Sequence, residues 1–435
     1  MINQNNVLHY FDTPANPEFS VKSSFHTLGR GLNSVLYEPA EMSGKASTCI
    51  LIMHSDTDYL DFTFGKEIAR WGYKALCANV SSSDSELDRK MMEVGEVFRF
   101  AKALPGVRHV VLLGHSGGAT LMSAYQSVAE NGPEIFQGPE KLVKCGLRPG
   151  QLIPADGVML LDSNWGNGAM RLFSLDPAVI SEDNGMRLDP ELDLFNEENG
   201  FRKGGSTYGQ DFIQKFQQAQ GQRNNRLTEY ALRRLEKIDS GFGRFLDDEP
   251  MVIAGADQAF FNNKLFAQDV RLLAHTRKPW PLLHGDGRIT VETVPSVRTP
   301  QNDESLTASM ERGALVTTVK QYLSSYAVRT TEDYGFDADS VRGIDWDSSY
   351  NCTPGNVAGI HVPLLVMGMT GSWEFSAAET IAERAGAEDV TLAYVEGARH
   401  FFDTATELEA YPGQFGDTMN TTCRFVDAWL QARFR

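Results

Sequence analysis

Ser116 stands in Gly114-His115-Ser116-Gly117-Gly118, directly after the apolar run Val110–Leu113 and directly before a helix-compatible stretch, Ala119–Ala129. A serine hydroxyl is a weak nucleophile at neutral pH and needs a base within hydrogen-bond reach. Its backbone must also hold it out toward a substrate. Strand, sharp turn and helix in that order supply this. Glycines at 114 and 118 let neighbouring backbone approach the turn, and the serine is held in a strained conformation at the carboxyl end of a sheet. The alternative reading of these five residues is a small-residue strand–helix turn chosen only for packing.

The base has one well-placed candidate. His400 follows the strand-like run ending at Val395, in the glycine-containing segment Glu396-Gly397-Ala398-Arg399-His400-Phe401-Phe402. From there an imidazole can reach over the carboxyl edge of a sheet. His9 and His26 precede the core, and His275 and His284 fall in a later insertion. His361 lies just before a strand and so at the wrong edge. A surface loop histidine is the competing reading for His400.

In these two segments the sequence resembles the α/β-hydrolases. Gly114–Gly118 matches that family's nucleophile elbow, Glu396–His400 resembles its late histidine loop, and serine precedes histidine in the chain. The resemblance covers roughly residues 21–164 and 351–435; it does not extend to the segment between, and the subfamily stays open. It implies a carboxylate that fixes the tautomer of His400 and stabilises the imidazolium. In the family this acid usually lies a few residues past a glycine after the penultimate strand. Here that slot, after Gly368, holds Gly371 and Ser372, and the nearest carboxylate, Glu374, is displaced by two or three positions. Asp162, at the end of Gly157–Leu161, occupies the preceding-strand position that some members use. Both acids remain open. Their structural readings are a strand-end cap for Asp162 and a first helical turn for Glu374.

The resemblance also implies two donors for a tetrahedral oxyanion. One is the backbone N–H of Gly117, at the start of the helix. The other belongs to the loop after an early strand, His54-Ser55-Asp56-Thr57-Asp58, where Ser55 replaces the glycine that commonly follows the histidine. By position the donor is the N–H of Asp56, or of Ser55 in a tighter loop.

The surrounding pattern predicts elements able to hold such a site. Strand candidates are Asn33–Pro39, Thr48–Met53, Lys74–Val80, His109–Leu113, Gly157–Leu161, Pro363–Met369 and Val390–Val395. Helix candidates are Phe64–Trp71, Ser85–Ala103, Ala377–Ala385 and Gly416–Ala432. In Ser85–Ala103, Leu87, Met91, Val94, Phe98 and Ala101 recur at helical spacing, with Glu86, Arg89, Lys90 and Glu93 expected on the wet face. Continuous apolar strands separated by helices indicate an α/β, doubly wound, mostly parallel sheet. We therefore expect core residues 1–164 and 351–435, interrupted by a mainly helical cap at 165–350. Its helices are expected at Tyr208–Gln220, Arg226–Ile238 and Ala308–Val328, with a hairpin or wandering loop at Lys278–Pro300.

Composition narrows the partners. The chain has 435 residues and a net charge of −17, without a dense basic block. That argues against nucleic acid or anionic membrane. No apolar run approaches the ~20 residues of a membrane span, and the amino terminus lacks the basic and apolar regions of a signal peptide. Cys49, Cys77, Cys145, Cys352 and Cys423 are scattered and odd in number, so neither a disulfide framework nor a zinc site is indicated. Trp165, Trp280, Trp346 and Trp373 are candidates to line a pocket. The expectation is a cytoplasmic serine hydrolase acting without cofactor or metal on an ester or lactone with an apolar body, with homo-oligomerisation open. Thioester, amide or C–C bond cleavage and acyl transfer use the same constellation. A non-catalytic ligand-binding protein on the same fold is the remaining alternative.

Overall fold

The computed structural model describes residues 19–256, 265–300 and 313–434. Its main sheet has ten strands: β1 Val21–Gly29, β2 Leu32–Pro39, β3 Thr48–His54, β4 Lys74–Asn79, β5 His109–Ser116, β6 Gly157–Ser163, β7 His275–Leu283, β8 Ile289–Pro295, β9 Leu364–Met369 and β10 Val390–Val395. Across the sheet they lie in the order β1-β2-β4-β3-β5-β6-β9-β10-β7-β8. The β1–β2 and β2–β4 pairs are antiparallel. From β4 through β10 all neighbours are parallel.

Every residue of β3, β6, β9 and β10 is buried, because helices cover both faces. Alternation along a strand sends successive side chains to opposite sides. Leu51, Leu112, Leu160 and Val366 join one core with the helices Leu87–Ala103 and Gly118–Asn131. Their neighbours Ile50, Leu113, Met159 and Met367 join the other, with the helices Thr63–Arg70 and Thr418–Arg433. All five cysteines are free and buried. Among the described residues no helix is long and apolar enough to cross a membrane.

Residues 165–350 are less helical and less separate from the sheet than their sequence predicts. The Lys278–Pro300 region is a hairpin, β7–β8, and β7 runs parallel to β10 at Leu282–Tyr394 and Leu283–Val395. The run Trp280–Leu283 is buried, and its apolar strand end finds a partner in the open edge of β10. The two helices expected at Tyr208–Gln220 and Arg226–Ile238 form one, Gln210–Asp239. The polar residues at its middle are bonded within the protein. Gln220 Nε2 donates to the Leu175 carbonyl and Asn224 Nδ2 to that of Val328.

Of the expected helix Ala308–Val328, residues 308–312 lie outside the described residues. Leu315–Thr318 is a strand paired with Pro250–Ile253, and the helix is only Val319–Ser325. Thr318 starts it, its side chain accepting the Gln321 amide. Leu315, Val319 and Tyr322 pack with Leu175 and Leu227 in a core of their own. Lys90 is also not on the wet face of its helix. It is 1% exposed and donates to Asp56 Oδ1 at 3.0 Å and to the Ser83 carbonyl at 2.7 Å.

Candidate active site

The turn between β5 and the helix Gly118–Asn131 has the strain its sequence predicts. Ser116 sits at φ +52°, a left-handed conformation costly for a residue with a Cβ and kept only where its surroundings enforce it. The enforcement is close backbone packing. A Cβ on Gly114 would come within 2.7 Å of the Ala119 Cα, and one on Gly118 within 2.6 Å of the Met53 carbonyl oxygen. The amide of Gly117 stands at the amino end of the following helix, where backbone N–H groups are unpaired within the helix and the dipole favours negative charge.

His400 comes to the same edge from the loop after β10. Its Nδ1 donates to Asp162 Oδ2 at 2.6 Å, while Asp162 Oδ1 accepts the Met369 amide at 3.1 Å. Glu374 Oε2 lies 3.8 Å from the same Nδ1. Both acids named from sequence therefore converge on one imidazole nitrogen, with Asp162 in direct hydrogen bond and Glu374 just beyond it. Both are 1% exposed. Burial works against a charged ring, yet the Glu374 charge together with the Asp162 hydrogen bond and charge outweighs it, holding the His400 pKa above the ordinary histidine value. The remaining nitrogen, Nε2, is left as the proton acceptor.

His115, inside the elbow, ties these pieces together, a part that sequence reading missed. Its ring nitrogens face the His400 carbonyl oxygen at 2.7 Å and the Tyr59 hydroxyl at 2.6 Å. A carbonyl only accepts, so Nε2 carries the proton and Nδ1 accepts from Tyr59. Burial, then the charge of nearby His400, keeps the His115 pKa well below the ordinary value, so this neutral tautomer is fixed. His115, Asp162 and His400 offer ligand atoms all within 4.8 Å of one another. With both His115 nitrogens engaged, that cluster is better suited to orienting a base than to holding a metal.

The loop after β3 takes a path its sequence did not reveal. The Asp56 and Thr57 amides both donate to His54 Nδ1 at 3.0 Å. The Asp56 N–H expected to face an oxyanion is thus turned back into its own loop, because the histidine two residues earlier offers a buried acceptor. The Asp56 carboxylate accepts from Lys90 and from Ser55 Oγ, and Ser55 Oγ accepts from Asn167 Nδ2 at 3.2 Å. Burial raises the Asp56 pKa, but the Lys90 charge and the hydrogen bonds from Lys90 and Ser55 outweigh it and the net shift is downward. The signal for Lys90 was available: it lies three residues from Leu87 and four from Val94, on the apolar side of its helix.

Of the tryptophans, Trp373 lies beside the site, its ring 6.0 Å from that of His400. Trp165 packs on Phe173, and Trp280 Nε1 donates to Glu379. Trp346 packs against the larger core.

The strand order, the two helical layers and the strained serine turn after β5 define an α/β-hydrolase fold. No protein-family model matches the sequence, and no curated protein matches it. Similar solved structures include the siderophore hydrolase EstB from Aspergillus fumigatus, at 12% identity over 95% of this chain and 98% of that one, with a TM-score of 0.43. A hypothetical protein from Pseudomonas aeruginosa matches at 10% identity over 100% and 99%, with a TM-score of 0.41. Est1E from Butyrivibrio proteoclasticus matches at 12% over 92% and 94%, with a TM-score of 0.38.

Proposed function

We propose that this protein is a serine hydrolase that cleaves a carboxylic ester or a lactone through an acyl-enzyme on Ser116. The observation that carries the reading is Ser116 at positive φ in an elbow whose His115 bonds the His400 carbonyl, with His400 Nδ1 held 2.6 Å from a buried aspartate. Ser116 Oγ attacks the carbonyl carbon while His400 Nε2 takes its proton. The carbonyl π electrons move onto oxygen, and the Gly117 N–H donates to that oxyanion. Collapse expels the alkoxide, which leaves with the proton held by His400. Water, deprotonated by the same nitrogen, then releases the acid and restores Ser116. Asp162 is the orienting acid and Glu374 an auxiliary charge on the same ring.

The substrate we assign is a small molecule with an apolar body. Trp373 and the 54% exposed Phe401 flank the His400 ring, at 6.0 and 5.1 Å between ring centres. Residues 165–350 apart from β7–β8 are assigned as a cap; Asn167, at its start, already bonds the loop after β3. The test is steady-state turnover of p-nitrophenyl esters, lactones and thioesters by the wild type, Ser116→Ala and His400→Gln. Ester turnover lost in both variants supports the reading. Turnover that survives Ser116→Ala overturns it.

A further inference from the structure

With the Asp56 amide turned away, the second oxyanion donor is the Ser55 N–H or a side chain near the elbow, and His54 is the side chain placed to give it. Its Nδ1 accepts two backbone N–H groups, from Asp56 and Thr57. A neutral imidazole with one nitrogen accepting carries its proton on the other, so Nε2 is an N–H donor. Burial pushes the His54 pKa down to about 4, which keeps the ring neutral. Its stacking on Tyr59, at 4.8 Å and 25° between planes, fixes its orientation.

The direction of that N–H is set by the elbow. A Cβ built on Gly117 would lie 3.0 Å from His54 Nε2. The ring edge therefore leans over the residue whose own amide is the first donor, in space that a side chain at 117 would crowd. We infer that the His54 Nε2–H is the second donor of the oxyanion hole, a neutral side-chain electrophile on ester carbonyls. The inference rests on the serine-hydrolase reading above. A neutral imidazole suits the task, since it polarises a carbonyl without adding a charge that would compete for the buried carboxylates.

Two amide substitutions separate this role from mere support of the loop. In His54→Asn the side-chain oxygen stands near the place of Nδ1 and can still accept the Asp56 and Thr57 amides, while the distal N–H is lost. In His54→Gln the longer side chain returns an N–H near the place of Nε2 and gives up the proximal acceptor. Turnover of p-nitrophenyl butyrate and inhibition by a trifluoromethyl ketone, which forms a tetrahedral adduct, are measured for both beside the wild type.

The expected result is a fall in kcat of about 10²–10³-fold in His54→Asn, with KM nearly unchanged and a comparable loss of ketone affinity. His54→Gln should keep kcat within about tenfold of wild type, because the donor is restored. Wild-type kcat and ketone affinity in His54→Asn overturn the inference, as does a larger kcat loss in His54→Gln than in His54→Asn. Failure of the wild type to turn over any ester would instead overturn the serine-hydrolase reading itself.

Discussion

Two carboxylates at one imidazole nitrogen make a prediction that a single acid would not. Asp162→Asn removes a charge-assisted hydrogen bond of 2.6 Å to His400 Nδ1. Such a bond contributes about 1.5–3 kcal/mol, which corresponds to a rate loss of about 10- to 150-fold at 1.36 kcal/mol per decade. Converting the only acid of a triad to its amide costs about 10⁴-fold, because the wrong tautomer is then held. Here Glu374 Oε2 is already 3.8 Å from the same nitrogen, and a small side-chain shift lets it accept the Nδ1 proton. The loss in Asp162→Asn should therefore stop near 10²-fold. Glu374→Gln alone should cost less than Asp162→Asn, about tenfold, since the direct bond survives. The double variant should fall by about 10⁴-fold, well beyond the product of the single losses, because neither acid remains to cover for the other. The assay is kcat/KM on a p-nitrophenyl ester, with thermal unfolding to show that each variant is folded. A larger loss in Glu374→Gln than in Asp162→Asn, or a double loss equal to the product, would refute the shared-acid reasoning.

The same charges set a pH dependence. Protonated His400 cannot accept the Ser116 proton, and its pKa lies above the ordinary histidine value. The acidic limb of kcat/KM should thus lie above that of an ordinary histidine, and move to lower pH in Glu374→Gln; a limb that moves up or stays put contradicts the assignment. Lys90→Met leaves the Asp56 carboxylate without its cation in a site where Lys90 is 1% exposed, and should destabilise the fold by about 3 kcal/mol, read by denaturant titration. An unchanged midpoint would show that the pair does not hold the loop. Gly118→Ala places a Cβ 2.6 Å from the Met53 carbonyl oxygen, a backbone atom that cannot swing aside. It should abolish ester turnover, and a folded, fully active Gly118→Ala enzyme would refute the close-packed elbow.

What could be read from the sequence followed from local signals. The β5 apolar run, the glycines flanking Ser116 and the glycine-bearing loop before His400 each carry their meaning within a few residues, and the strands β3, β6, β9 and β10 read as buried because apolar residues run through their middles. Relations between distant segments were not legible. That His115 holds the His400 carbonyl, or that β7 completes the sheet beside β10, depends on pairings across more than a hundred residues that no local pattern encodes. The Asp56 amide failed for a nearer reason: a histidine acceptor two residues back competes for it, and positional analogy does not register that competition. Sequence leaned to Asp162 over Glu374 without settling the choice, because the decision lies in about an ångström of difference at one nitrogen.

The most direct test of the central claim is covalent labelling with a fluorophosphonate, read by intact mass and peptide mapping. An activated serine predicts a single adduct on Ser116 that is absent in Ser116→Ala and slowed in His400→Gln. A folded protein that takes no adduct, or takes it on another residue, would contradict the account.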